Sequence, residues 1–209
     1  MEKEIAQNLL EIEAIKFSPD APYTWASGWK SPIYCDNRLT LSYPKIRKQI
    51  TNGLYTLVCN FFPGTTAIAG VATAGIPQGA WLADKMNLPF IYVRSKPKEH
   101  GMGNQIEGHL LQGSKVLVVE DLVSTGKSSL EAVEALRKAG AEVVGMVSIF
   151  TYGFEIAKQN FEKAEVRLAS LTDYATLLEV ALEKKQITKT QLKTLEQWRQ
   201  NPDTWKAKG

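Results

Sequence analysis

The chain has 209 residues, with 25 Lys and Arg against 22 Asp and Glu, for a formal net charge of +3. At 44% hydrophobic and 22% charged residues it has the composition of a globular protein, sized for one domain with a modest appendage, and it is too short for a second large catalytic domain, since a (β/α)8 barrel alone takes about 250 residues. No apolar run reaches the roughly 18 residues needed to cross a bilayer, and the acidic, amphipathic start MEKEIAQNLLEIE suits neither a secretory signal nor a transit peptide, so the expectation is a soluble cytoplasmic protein.

No internal repeat, low-complexity tract or Pro/Gly/Ser-rich linker interrupts the chain. Ile5, Leu9 and Ile12 recur at helical spacing and predict a first helix, broken by Ser18-Pro19-Asp20-Ala21-Pro22. The aromatic stretch 23–36 contains Ser27-Gly28 and Ser31-Pro32, and reads as short strands and turns. Ser42 and Pro44 mark a helix start, and Ile46, Ile50, Leu54 and Leu57 carry that helix to Phe61. Strands are then predicted over 66–71, 90–93, 115–120, 143–150 and 166–171, with helices over 77–86 and 128–138. Short apolar strands alternating with helices indicate an α/β fold, a mostly parallel sheet covered on both faces. Ligands of such sheets bind beyond the carboxyl ends of the strands, which directs attention to the loops after Val71, Val93 and Glu120. From Asp173 onward the chain reads as polar helices with an apolar leucine stripe. Cys35 and Cys59 are isolated and imply neither a disulfide framework nor a zinc site.

The most informative stretch is VLVVEDLVSTGKSSLEAVEAL, Val116 to Leu136. A buried strand delivers Glu120 and Asp121, a small hydroxyl-rich turn follows, and a helix begins. Ser124, Thr125, Gly126, Lys127 and Ser128 would bring amides, hydroxyls and an ammonium to a helix N-terminus, where a phosphate dianion is favoured. Three readings compete. Gly126-Lys127-Ser128 matches the end of the P-loop pattern G-x-x-x-x-G-K-S/T, but that pattern needs glycine where this chain has Asp121, whose charge would repel the phosphates. Alternatively, an acidic strand end simply precedes a well-capped helix. In the third and favoured reading, the carboxylates accept the two hydroxyls of a ribose and the loop holds its 5-phosphate. After Val93, residues 96–105 contain Pro97, Gly101 and Gly103 and hardly any core-forming side chain, so an exposed segment is expected, with Arg94, Lys98 and His100 bringing positive charge. A charged loop with no ligand is the plain alternative. His109 lies outside the motif and reads as structural.

The run Glu120-Asp121-Leu122-Val123-Ser124-Thr125-Gly126-Lys127-Ser128 resembles the phosphoribosyl-diphosphate (PRPP) signature of type I phosphoribosyltransferases. Tyr23-Thr24-Trp25-Ala26-Ser27-Gly28-Trp29-Lys30-Ser31-Pro32-Ile33-Tyr34 resembles the N-terminal S-G-x-x-S-P-x-Y region of the orotate phosphoribosyltransferase family. Arg94-Ser95-Lys96-Pro97-Lys98-Glu99-His100-Gly101 resembles that family's basic catalytic loop. The resemblance implies the type I phosphoribosyltransferase fold, with a base-binding hood over 1–40 that includes parts of the C-terminal segment, a core over 41–172, and C-terminal helices over 173–209. It implies transfer of the phosphoribosyl group from PRPP to orotate, giving orotidine 5′-monophosphate and pyrophosphate in pyrimidine synthesis.

Roles follow by the same resemblance. Residues 120–128, with Arg94, Lys98 and His100, would bind PRPP. Lys98, His100 and Asp121 would be catalytic, with Lys98 stabilising the leaving group and His100 donating a proton. Thr73, Ala74 and Gly75 would form the pyrophosphate loop, although an ordinary strand–helix turn reads the same way from the residues alone. Many family members carry Lys where this chain has Ala26 and Ser95, so the orotate carboxylate would be held by Ser124 and by amides near Tyr34 and Cys35, with Lys30 a further source of charge. Mg2+ would arrive on PRPP with no direct protein ligand. The implied assembly is a homodimer in which each subunit lends its catalytic loop to the other, with no nucleic-acid or membrane partner. A phosphoribosyltransferase for another base, a catalytically inactive PRPP-binding regulator and a nucleic-acid module are the rivals.

Overall fold

The computed structural model describes residues 1–25, 27–96 and 105–206. Helix α1 (Glu2–Glu11) is followed by strand β1 (Ile15–Phe17), the short hairpin strands β2 (Tyr23–Thr24) and β3 (Lys30–Ser31), and β4 (Ile33–Cys35). The first helix is shorter than its periodicity predicts. Glu13 takes a left-handed φ of 55°, and the chain then pairs Ile15, Lys16 and Phe17 antiparallel with Cys35, Tyr34 and Ile33. A 3-10 turn over Asn37–Ser42 leads into α2 (Pro44–Phe61), with Pro44 in the first helical turn, where its missing N–H costs nothing.

The remaining chain is β5 (Ala67–Val71), α3 (Gly75–Met86), β6 (Phe90–Val93), β7 (Ile106–Glu107), β8 (Lys115–Val123), α4 (Lys127–Lys138), β9 (Glu142–Thr151), α5 (Glu155–Lys163), β10 (Leu168–Asp173), α6 (Tyr174–Glu183) and α7 (Lys189–Gln200). The main sheet runs β10-β9-β8-β5-β6-β7, parallel except for the last pair. Alternate residues of its central strands feed two cores. Ile68, Leu117, Val119, Val147 and Ile149 pack with α1, α2, α3 and α6 on one face. Ala67, Ala69, Val116, Val118 and Met146 pack with α4 and α5 on the other. Continuous apolar strands such as KVLVV are the consequence, because both faces are covered.

At one end the β2–β3 hairpin joins an aromatic cluster. Trp25 meets Tyr152 and Trp198 at centroid distances of 5.3 and 5.6 Å, and Trp198 Nε1 donates to the Lys30 carbonyl at 3.0 Å. Residues distant in sequence thus fix the N-terminal hairpin against the C-terminal helix.

Candidate active site

Strand β8 outruns its apolar stretch. Leu122 pairs with Phe150 and Val123 with Thr151, so Glu120 and Asp121 lie within the last turn of the ladder rather than beyond it. Glu120 is buried and Asp121 half-buried. One Glu120 oxygen accepts from the Asp121 amide and the other from the Ser129 hydroxyl, each at 3.0 Å. Burial, and then the charge of Asp121, pushes the Glu120 carboxyl well above the usual carboxylate range. Asp121 is also raised, mainly by burial, while its hydrogen bond with Glu120 pulls the other way. The pair favours one negative charge over two. Such acceptors suit sugar hydroxyls, which neutralise nothing but supply the missing donors.

Beyond Val123 the chain turns through Ser124 and Thr125 to Gly126, whose φ of 77° opens α4. The helix begins with no side-chain cap, and the amides of Ser124, Thr125 and Gly126 have no acceptor among the described residues. These are the donors that an anion at a helix N-terminus requires. The P-loop alternative fails on geometry as well as on sequence, since β8 runs through Asp121 to Val123 and leaves only Ser124, Thr125 and Gly126 before α4, too short a turn to wrap a phosphate chain.

The start of α3 meets the same place. Its first turn also lacks a side-chain cap, and a Cβ on Gly75 would run into the Val119 carbonyl oxygen. Only glycine permits so close an approach, which sets Thr73, Ala74 and Gly75 against the end of β8. The Ala72–Thr73 peptide is cis.

Arg94 leaves β6 with its guanidinium 3.3 Å from Glu107 on β7, and the Arg94 amide and Gln105 carbonyl are joined at 2.9 Å. Lys98 and His100 fall outside the described residues, as does Ala26. The flanks Ser95 and Gln105 line, with Thr125, Lys127 and Asn160, a cavity of about 930 Å3 beside the turn. In the N-terminal region, the Asp36-to-Ala14 and Ser18-to-Pro32 hydrogen bonds set the β1–β4 alternation. The Tyr34 amide therefore falls in a hydrogen-bonded pair with Lys16, and the Cys35 amide is the one directed away from β1. Lys30 is used structurally, donating to Thr24 Oγ1 at 2.7 Å. His109 is exposed and takes no place in a core.

Three residues in the site lie outside the candidates named from the sequence. Asn37 donates to the Asp121 carbonyl at 2.8 Å, Ser129 holds Glu120, and Asn160 donates to the Thr125 carbonyl at 2.9 Å. For Ser129 the helical spacing offered a clue, because its buried position sits one turn into α4, facing back to the strand end.

A family model described as a phosphoribosyl transferase domain matches residues 42–177. An orotate phosphoribosyltransferase of Cytophaga hutchinsonii is 56% identical over 204 residues, covering 98% of each chain. Among solved structures, orotate phosphoribosyltransferase from Aeropyrum pernix superposes with a TM-score of 0.75 at 29% identity, over 88% of this chain and 99% of that one. Leishmania donovani UMP synthase gives 0.80 at 30% identity, over 95% of this chain; the match spans 42% of that longer protein. No helix among the described residues is long and apolar enough to cross a membrane.

Proposed function

The chain belongs to the phosphoribosyltransferase family, within its orotate phosphoribosyltransferase branch, and on that premise we propose how its residues divide the reaction. The transfer joins N1 of orotate to C1′ of PRPP as the N1–H and C1′–O bonds break, releasing a proton and pyrophosphate and giving orotidine 5′-monophosphate for pyrimidine synthesis. Cleavage of the C1′–oxygen bond leaves an electron-poor sugar and a highly charged leaving group, so positioning and electrostatics do most of the work.

Glu120 and Asp121 accept the ribose hydroxyls, and the amides and hydroxyls of 124–128 hold the 5-phosphate. Thr73, Ala74 and Gly75 present amides to the diphosphate. Arg94, Lys98 and His100 counter the charge that develops on pyrophosphate, with His100 supplying a proton. Ser124 and the outward amide of Cys35 hold the orotate carboxylate, beside Tyr34. The observation that carries this assignment is the convergence of two uncapped helix starts, α3 and α4, on the carboxylate-bearing end of β8.

Among the described residues no group of His, Cys, Asp and Glu could by itself hold a metal ion, which fits Mg2+ carried in by the substrate, a hard cation that keeps substrate phosphates and water in its shell. When bound with PRPP it would neutralise diphosphate charge, with no direct protein ligand. We place the enzyme in the cytoplasm as a homodimer.

The test is loss of orotate absorbance with PRPP and Mg2+, with uracil, hypoxanthine and adenine run in parallel. Turnover of orotate alone is expected. Turnover of another base would overturn the base-site reading, and PRPP binding without turnover would indicate a regulator.

A further inference from the structure

We infer that Asn160 on α5 is a positioning residue for the phosphate loop, a role that rests on the assignment of residues 124–128 to the 5-phosphate. Its side-chain amide reaches across 35 positions to donate to the Thr125 carbonyl at 2.9 Å. The Thr125–Gly126 peptide is trans, so its C=O and N–H point to opposite sides. By anchoring the carbonyl toward α5, Asn160 turns the Gly126 amide away from α5, and no acceptor among the described residues takes that amide. One hydrogen bond thereby aims a donor outward.

The neighbouring Phe161 closes the same arrangement. Its ring carbon Cε2 lies 2.5 Å from where a Cβ on Gly126 would sit, so the loop rests on an aromatic floor and cannot sink toward α5. Phe161 itself is buried in the second core. The loop is thus held on one side by β8 and α4, which carry it, and on the other by a helix that contributes nothing else to the proposed site.

Asn160→Leu keeps roughly the side-chain size and removes the donor to the Thr125 carbonyl without adding charge beside the phosphate. The expected result is a rise of about tenfold in KM for PRPP with a clearly smaller rise in KM for orotate, which meets the loop only at Ser124 and is held also by the Cys35 amide. Thermal midpoints would stay close to wild type. Ribose 5-phosphate titrated by calorimetry against the wild type, Asn160→Leu and Ser128→Ala separates this inference from the site assignment. Weaker binding by both variants supports the inference. Weaker binding by Ser128→Ala alone overturns it and leaves the site standing. Unchanged binding by both overturns the site assignment and the inference with it. Equal losses for PRPP and orotate, with a lowered midpoint, would make Asn160 merely structural and overturn the positioning role.

Discussion

Asn37 joins two parts of the site through one side chain: its Nδ2 donates to the Asp121 carbonyl at 2.8 Å across 84 positions, and its Oδ1 accepts the Cys35 thiol at 3.4 Å. The residue is only 1% exposed. The segment proposed to meet the base is therefore fastened to the acids proposed to meet the ribose. Asn37→Ala would strand the Asp121 carbonyl without its donor, a loss of about 1–3 kcal/mol. Asn37→Asp should cost more, because it adds a carboxylate beside an acid pair already reluctant to ionise fully. Urea denaturation of both variants measures this. Changes within about 0.5 kcal/mol, the range of an ordinary surface substitution, would show that the bond adds nothing.

Gly126→Ala carries two separable penalties. A φ of 77° disfavours any L side chain, at roughly 1–2 kcal/mol, and the new methyl group collides with the Phe161 ring. Phe161→Leu would give the methyl room without altering φ. The double variant should thus be more stable than the sum of the single losses implies, while remaining below wild type. A double-mutant cycle from thermal unfolding decides the point, and strict additivity would mean that the ring does not press on Gly126. PRPP affinity should fall in the alanine variant, since the turn that opens α4 is displaced.

The α/β pattern, the central strand and the 124–128 turn were legible because each is written locally: an apolar run, then acids, then small residues, then helical periodicity. What was missed is tertiary. Helix α5 buries only Ala157 and Phe161 among its nine residues, too few for a periodic signal, and its significance comes from Asn160 and Phe161 meeting a loop far away in sequence. The early end of α1 likewise follows from pairing of Ile15–Phe17 with Ile33–Cys35, although Ile12 continues the helical spacing. The apolar run predicts a strand over 115–120. Phe150 and Thr151 on β9 keep the ladder going to Val123, and that extension leaves Glu120 buried and Asp121 half-buried rather than both solvated.

Burial of Glu120 has a cost that the fold carries for the site. Its carboxyl is raised on folding, mainly by desolvation, so the folded chain binds that proton more tightly than the unfolded chain. The contribution is fully present at acid pH, below the unfolded value, and is lost as pH rises through the raised folded value. Glu120→Gln removes the charge while keeping an acceptor for the Asp121 amide and offering its NH2 to the Ser129 hydroxyl. This variant should melt higher than wild type at about pH 8, and the gap should close as pH falls toward the ordinary carboxylate range. Its PRPP affinity should drop, because an amide replaces one acceptor for the ribose hydroxyls. Equal melting temperatures across that pH range would show that Glu120 ionises in the folded chain without penalty.

Whether the 97–104 segment serves its own subunit or a neighbour is decided by mixing inactive chains. Its flanks, Ser95 and Gln105, share a cavity with Thr125 and Lys127 of the same chain, so closure within one subunit is a concrete alternative to exchange. A Lys98→Ala chain retains a sound ribose and phosphate site, and an Asp121→Asn chain retains a sound basic loop. If loops cross a two-fold interface, each hybrid dimer contains one site with both parts intact and one with both altered. Equal mixing with random reassembly makes half the dimers hybrid, so about a quarter of wild-type turnover should return. If each loop closes on its own subunit, every site in a hybrid carries one lesion and mixing restores nothing. Activity measured before and after subunit exchange distinguishes the two, because a loop acting in place gains nothing from a new partner.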